Sequence, residues 1–210
     1  AAVFAYAWAR LLGRPAFVVD DNTVRKIAPD RMVSTLAGVA MGGGAADGSG
    51  PAARFKSPNS VAVDSTGNVF IADFNNHTIR KITPIGAVGT LAGLAGVRDR
   101  ADGTGSVARF SYPRGVALDN VGTLYVADTE NQTIRKITAD GMVTTLAGLA
   151  GNRGSADGIG GAARFNSPAG LTVDSSGNVY VADAGNHTIR KVTSAGVVST
   201  LVGSAELGAG

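Results

Sequence analysis

NNHTIRKIT, residues 75–83, returns as NQTIRKIT at 131–138 and as NHTIRKVT at 186–193, with a worn copy, NTVRKIA, at 22–28. The threonines that open the four cores, Thr23, Thr78, Thr133 and Thr188, stand 55 residues apart. A phrase that recurs at a fixed step makes the chain a repeat array rather than one irregular domain. Within TIRKI, Ile79 and Ile82 fall on opposite faces of a strand. That pattern suits a sheet packed on both sides and wastes an isoleucine in a one-sided one.

Working outward from TIRKI, each unit reads as four short strands. SVAVD at 60–64 alternates, Ser65 to Asn68 make a turn, and NVFIAD rises as a β-branched and aromatic run. A polar turn at Phe74 to Asn76 leads into TIRKI, and Pro84, Ile85 and Gly86 bend the chain into AVGTLAG at 87–93. The pattern returns at 115–148 and 170–203, while residues 16–38 supply the last three strands of an earlier unit. Tandem antiparallel meanders of this kind predict an all-β fold, a β-propeller of four-stranded blades with a 55-residue period. The blades are expected at about 1–38, 60–93, 115–148 and 170–203. Parallel solenoids use shorter coils and lack hairpin turns every 8 to 12 residues.

Composition agrees. The chain has 210 residues, 44% of them apolar and 17% charged, enough to bury a core and too apolar for disorder. Its 30 glycines follow no collagen period and serve turns. With no cysteine, disulfides and thiolate metal sites are excluded, but the compartment stays open, a secreted or cell-surface setting included. The net charge of +3 invites a nucleic-acid reading, yet most of the basic residues simply recur with the repeat. Their first explanation is long stems covering apolar surface with the charged heads in water. Residues 1–15 match no repeat. They read as an irregular first strand or a helical plug, too short to span a bilayer, with Ala5, Tyr6 and Ala7 as the weaker signal-cleavage alternative. No other run approaches a membrane span.

SPAGLTVDSSGNVY at 167–180 followed by VADAGNHTIRKV at 181–192 resembles the NHL repeat, a β-propeller blade, in its long bacterial form. The resemblance covers residues 16–203, with Gln132 in place of the histidine in the second full copy and Ser60 in place of a glycine in the first. It implies a propeller that binds partners on a loop face. RNA binding is known among such propellers, and related ones carry metal-dependent lyase or lactonase chemistry at the channel mouth.

Between blades, LAGLAGVRDRADGTGSVARF at 91–110 and LAGLAGNRGSADGIGGAARF at 146–165 link an outer strand to the next inner one. These loops should share a face with the turns after Asp73, Asp128 and Asp183, and that face is the expected binding surface. Asp47, Asp102 and Asp157 recur before glycine without the further oxygen ligands and terminal Glu of a calcium loop, so they read as turn residues that pair with Arg54, Arg109 or Arg164. His77 and His187 hold a repeat position and read as turn or inter-blade packing residues rather than ligands. GGGAADGSG at 42–50 lacks the Gly-Lys-Ser/Thr of a phosphate loop, and no Gly-x-Ser-x-Gly elbow occurs. Neither catalytic residues, nor metal, nor cofactor are expected.

Residues 54–108 and 109–163 agree at 31 of 55 positions, so the scaffold is nearly symmetric and specificity must lie where the copies differ. The expected ligand-binding residues on the loop face are Phe74, Asn75, Arg98, Asp99, Arg100, Arg114, Glu130 and Arg153. A non-catalytic scaffold binding a protein, peptide or glycan is the expected function. RNA is the weaker partner, because Phe74 and Tyr112 are among few rings on which bases could stack. An open arc of four blades would expose apolar faces, so a homodimer completing the ring is expected, with a piece of a longer propeller as its rival.

Overall fold

The computed structural model describes residues 13–205. The expectations for the first dozen residues, the signal-cleavage alternative among them, lie outside that range. The chain is all-β and antiparallel, built as four sheets in chain order. The first contributes Ala16–Asp20, Thr23–Ile27 and Val33–Gly38. The second runs from Pro58–Val63 through Val69–Asp73 and Thr78–Ile82 to Ala87–Ala92. Pro113–Leu118, Leu124–Asp128, Thr133–Ile137 and Met142–Ala147 form the third, and Pro168–Val173, Val179–Asp183, Thr188–Val192 and Val197–Gly203 the fourth.

The expected four strands per unit are five in the three full sheets. Gly48–Ser49, Gly103–Thr104 and Gly158–Ile159, each from the loop that precedes a sheet, pair antiparallel with that sheet's outer strand. The long loop therefore runs along the outer edge of the next sheet before dropping to its inner strand. This ties the edge strand down and removes open ladder positions.

Ile79 and Ile82 do face opposite ways. Ile79 packs with Phe110, Ala92 and Val126 toward the third sheet, whereas Ile82 packs with Val24, Phe55 and Ile71 toward the first. Ile134 and Ile137 divide in the same manner. The phenylalanine of each Ala-Arg-Phe triplet is the wedge. Phe55, Phe110 and Phe165 are fully buried against the preceding sheet, each contributing roughly 1.5–3 kcal/mol by burial alone. Gly148 leaves room for one of them: it has φ of +93°, and a Cβ there would overlap the Gln132 carbonyl and crowd the Phe165 ring.

Candidate functional site

At the end of each sheet where the inner strand begins, one arginine organises the surrounding loops. Arg135, from the third strand of its sheet, is fully buried. One guanidinium nitrogen donates to Asp128 Oδ2 at 2.8 Å and to the Arg109 carbonyl at 3.0 Å. The other donates to Asp102 Oδ1 at 2.6 Å and to the Ala101 carbonyl at 2.9 Å. Strand end, inter-sheet loop and incoming chain are thus fixed to one side chain. Arg80 with Asp73 and Asp47, and Arg190 with Asp183 and Asp157, repeat the arrangement.

These contacts correct two expectations. The recurring arginines of TIRKI do not snorkel to water, and Asp47, Asp102 and Asp157 pair with them rather than with Arg54, Arg109 and Arg164. Those three turn instead to nearby backbone carbonyls, such as Arg164 to Ala163 at 2.8 Å. Burial pushes the Asp128 carboxyl up to about 6, against the pull of Arg135, Asn131 and the Ser111 N–H. Burial raises Asp73 and Asp183 as well.

After each second strand a short 3-10 turn ends in a left-handed residue, His77 or Gln132 at φ 60° and His187 at φ 55°. The side chains of the first two reach the next sheet. The Tyr112 N–H donates to His77 Nδ1 at 3.2 Å, and the Ser167 N–H donates to Gln132 Oε1 at 2.6 Å. Asn22 accepts from the Ser57 N–H in the same way. His77 is an inter-sheet packing residue, as expected, whereas His187, at the end of the last sheet, is exposed. The His77 ring is held below its ordinary pKa by burial and by the charges of Arg98 and Lys56, which suits an Nδ1 that accepts a hydrogen bond.

On this common frame, the junction between the second and third sheets carries a cluster found at neither neighbouring junction. Phe74 and Tyr112 have ring centroids 5.0 Å apart, and His77 meets Tyr112 edge-on at 4.5 Å. The Arg98 guanidinium lies over Tyr112 at 5.3 Å, and that of Arg114 over Phe74 at 5.4 Å. Arg98 gets there because its backbone bridges to Phe110, two residues before Tyr112. Arg114 stands in the inner strand Pro113–Leu118.

The structure therefore unites three of the expected site residues, Phe74, Arg98 and Arg114, and leaves the other five apart from them. Asn75 Nδ2 donates to Ser57 Oγ at 2.8 Å, within its own sheet. Glu130 and Arg153 form an exposed pair at 3.4 Å one junction further on. Asp99 and Arg100 are exposed, the Asp99 carboxylate accepting from the Arg100 N–H. Tyr112, which completes the cluster, was absent from the expected set although it departs from Ser57 and Ser167 at the same repeat position. Among the described residues no three His, Cys, Asp or Glu side chains gather as a metal cluster, and no helix is long and apolar enough to cross a membrane. A concavity lies at the opposite end, between the first two sheets, where Arg14, Phe17, Lys26, Leu36 and Pro84 surround Asp64. That carboxylate is spent on Asn68 and Thr66 of its own turn.

Comparison with known proteins fits this architecture. The family model described as NHL repeat matches residues 55–82, 110–137 and 165–192. NHL repeat-containing protein 2 of Bos taurus is 34% identical over 155 residues, 66% of this chain and 21% of that protein. An auxiliary nutrient binding protein from Bacteroides thetaiotaomicron superposes with a TM-score of 0.68 at 20% identity, over 90% of this chain and 46% of its own. Virginiamycin B lyase from Staphylococcus aureus gives 0.61 at 14% identity, over 90% and 52%. The chain spans about a fifth of that bovine relative and about half of these two solved structures, whose identities speak to fold alone.

Proposed function

The chain belongs to the NHL-repeat family, and we propose that it works as a non-catalytic β-propeller scaffold that binds a protein, peptide or glycan where the inter-blade loops meet the turns after the second strands. One observation carries this reading: on a frame repeated almost residue for residue, the aromatic and cationic departures converge at a single junction. Fold alone would not distinguish binding from catalysis. The carboxylates that lyase-type chemistry would draw on are committed elsewhere, Asp73, Asp128 and Asp183 each to an arginine, an asparagine and a backbone N–H. RNA binding draws less support, since Arg80, Arg135 and Arg190 are buried in ion pairs and the Phe74 and Tyr112 rings already carry guanidiniums. Arrays of immobilised peptides and glycans, probed with the wild type and with Phe74→Thr/Tyr112→Ser/Arg114→Ala, test the proposal. Ligands should bind the wild type and be lost with the triple variant; equal retention by both would refute the site.

The reading extends to assembly. The fourth sheet leaves Ile189, Leu201 and Val202 exposed where Ile79 and Ile134 are fully buried. An apolar face of this kind suits a second copy of the chain, the homodimer expected above. Light scattering coupled to size exclusion should return twice the chain mass of 21.0 kDa. A monomeric mass at high concentration would contradict it.

A further inference from the structure

Charge separates the two junctions as sharply as the rings do. Arg98 and Arg153 hold the same place in successive loops, each beside the phenylalanine of the next blade. Arg153 is answered by Glu130 at 3.4 Å; the equivalent position opposite Arg98 is Asn75, which is neutral and turned to Ser57. Arg114 has no cationic counterpart, its sister positions being Asn59 and Ala169. Among the described residues no carboxylate lies within ion-pair distance of Arg98 or Arg114, and Lys56 adds to the positive field around His77. The junction between the third and fourth blades is locally balanced, whereas this one carries two uncompensated guanidiniums on one aromatic pair.

The rings decide what those guanidiniums present. Their guanidiniums lie over the Tyr112 and Phe74 rings, and Arg98 also reaches the Tyr112 hydroxyl at 3.4 Å. A guanidinium held against a ring loses less freedom on binding, and its remaining N–H groups suit the planar, bidentate geometry of a carboxylate. His77 is tied to the frame through its Nδ1, which accepts from the Tyr112 N–H. Asp99, the nearest acidic neighbour in sequence, accepts from the Arg100 N–H rather than from Arg98.

We propose that the junction between the second and third blades is a carboxylate-binding site, in which Arg98 and Arg114, seated on Tyr112 and Phe74, take an acidic group of the ligand. The assignment rests on the binding-scaffold reading above and narrows it to ligands bearing carboxylates. Acidic peptides and uronic-acid glycans share that chemistry. Titration calorimetry with hexaglutamate and with a galacturonate oligomer separates the sources, with hexaglutamine and a neutral galactose oligomer as matched controls.

One of the acidic probes should bind, more weakly as salt rises, and its neutral match should not. Arg98→Gln and Arg114→Gln should each weaken binding by roughly tenfold or more, the loss of a charge-assisted hydrogen bond. Arg153→Gln, at the balanced junction, should leave it unchanged. Absence of binding by both acidic probes overturns the proposal, as does equal loss in Arg153→Gln. Binding of a neutral probe that is lost in Phe74→Thr but kept in Arg114→Gln overturns the carboxylate assignment while leaving the scaffold reading intact. Thermal midpoints of the variants, expected to match the wild type, separate lost binding from lost folding.

Discussion

The junction between the second and third blades and the one between the third and fourth share a backbone and differ in surface. Both use an arginine tied to two aspartates (Arg135 at the first, Arg190 at the second), a left-handed turn residue that accepts a hydrogen bond from the next blade, and a buried phenylalanine wedge. One then adds Phe74, Tyr112, Arg98 and Arg114, while the other has Thr129, Ser167, Arg153 and Ala169, with Glu130 cancelling the arginine. The difference teaches that residues common to every unit hold the frame and that residues present once are free to carry recognition.

If that division holds, damage to the frame should be large and equal at the two junctions. Arg135→Ala or Arg190→Ala leaves a buried aspartate unpaired and should cost about 3–5 kcal/mol, read as a lowered urea midpoint. Unequal costs would show that the junctions are not the same frame.

The frame should also carry a pH signature. Because the folded Asp128 value of about 6 lies above the ordinary 3.8, the folded chain binds the extra proton between them. Its contribution is therefore full below about pH 4 and is lost as pH rises through 6, by at most about 3 kcal/mol. Asp73 and Asp183 act in the same sense. Urea midpoints across that window should fall with rising pH, and Asp128→Asn should flatten the slope. Asp174, held down at about 2 by Asn178 and Tyr180, acts in the opposite sense and only at lower pH.

The graft Thr129→Phe/Glu130→Asn/Ser167→Tyr/Ala169→Arg rebuilds the binding cluster on the second junction. Thr129 is buried and its hydroxyl donates to the Pro168 carbonyl, so that change should cost about 1–3 kcal/mol, read in the urea midpoint. Gln132→Ala removes one inter-blade hydrogen bond and should cost about 1 kcal/mol, and His77→Ala should cost a similar amount for its hydrogen bond plus its contact with Tyr112.

The frame was legible where periodicity carries it. Two isoleucines three apart in TIRKI announced a sheet buried on both faces, and Ala16–Asp20 to Val33–Gly38 fell where the worn copy placed the last strands of a unit. The buried arginines were not legible. Arg135 and Asp102 are 33 residues apart, and an arginine beside a lysine in a strand reads as a surface pair until the fold wraps a loop over it. The two-residue edge strands are too short to leave an alternating pattern. In the site, Phe74 and Arg114 stood out by differing between copies, but so did Glu130, while Arg98 and Arg153 are one residue type at one repeat position, and only the geometry separates a neutralised pair from an unanswered charge.

The central claim is that recognition resides in one junction of a repeated frame. Calorimetric stoichiometry with the acidic probe that binds, hexaglutamate or the galacturonate oligomer, compared across the wild type, the graft and Phe74→Thr/Tyr112→Ser/Arg114→Ala, tests it most directly. The account predicts one site in the wild type, two in the graft and none in the triple variant. The same stoichiometry in all three would contradict it.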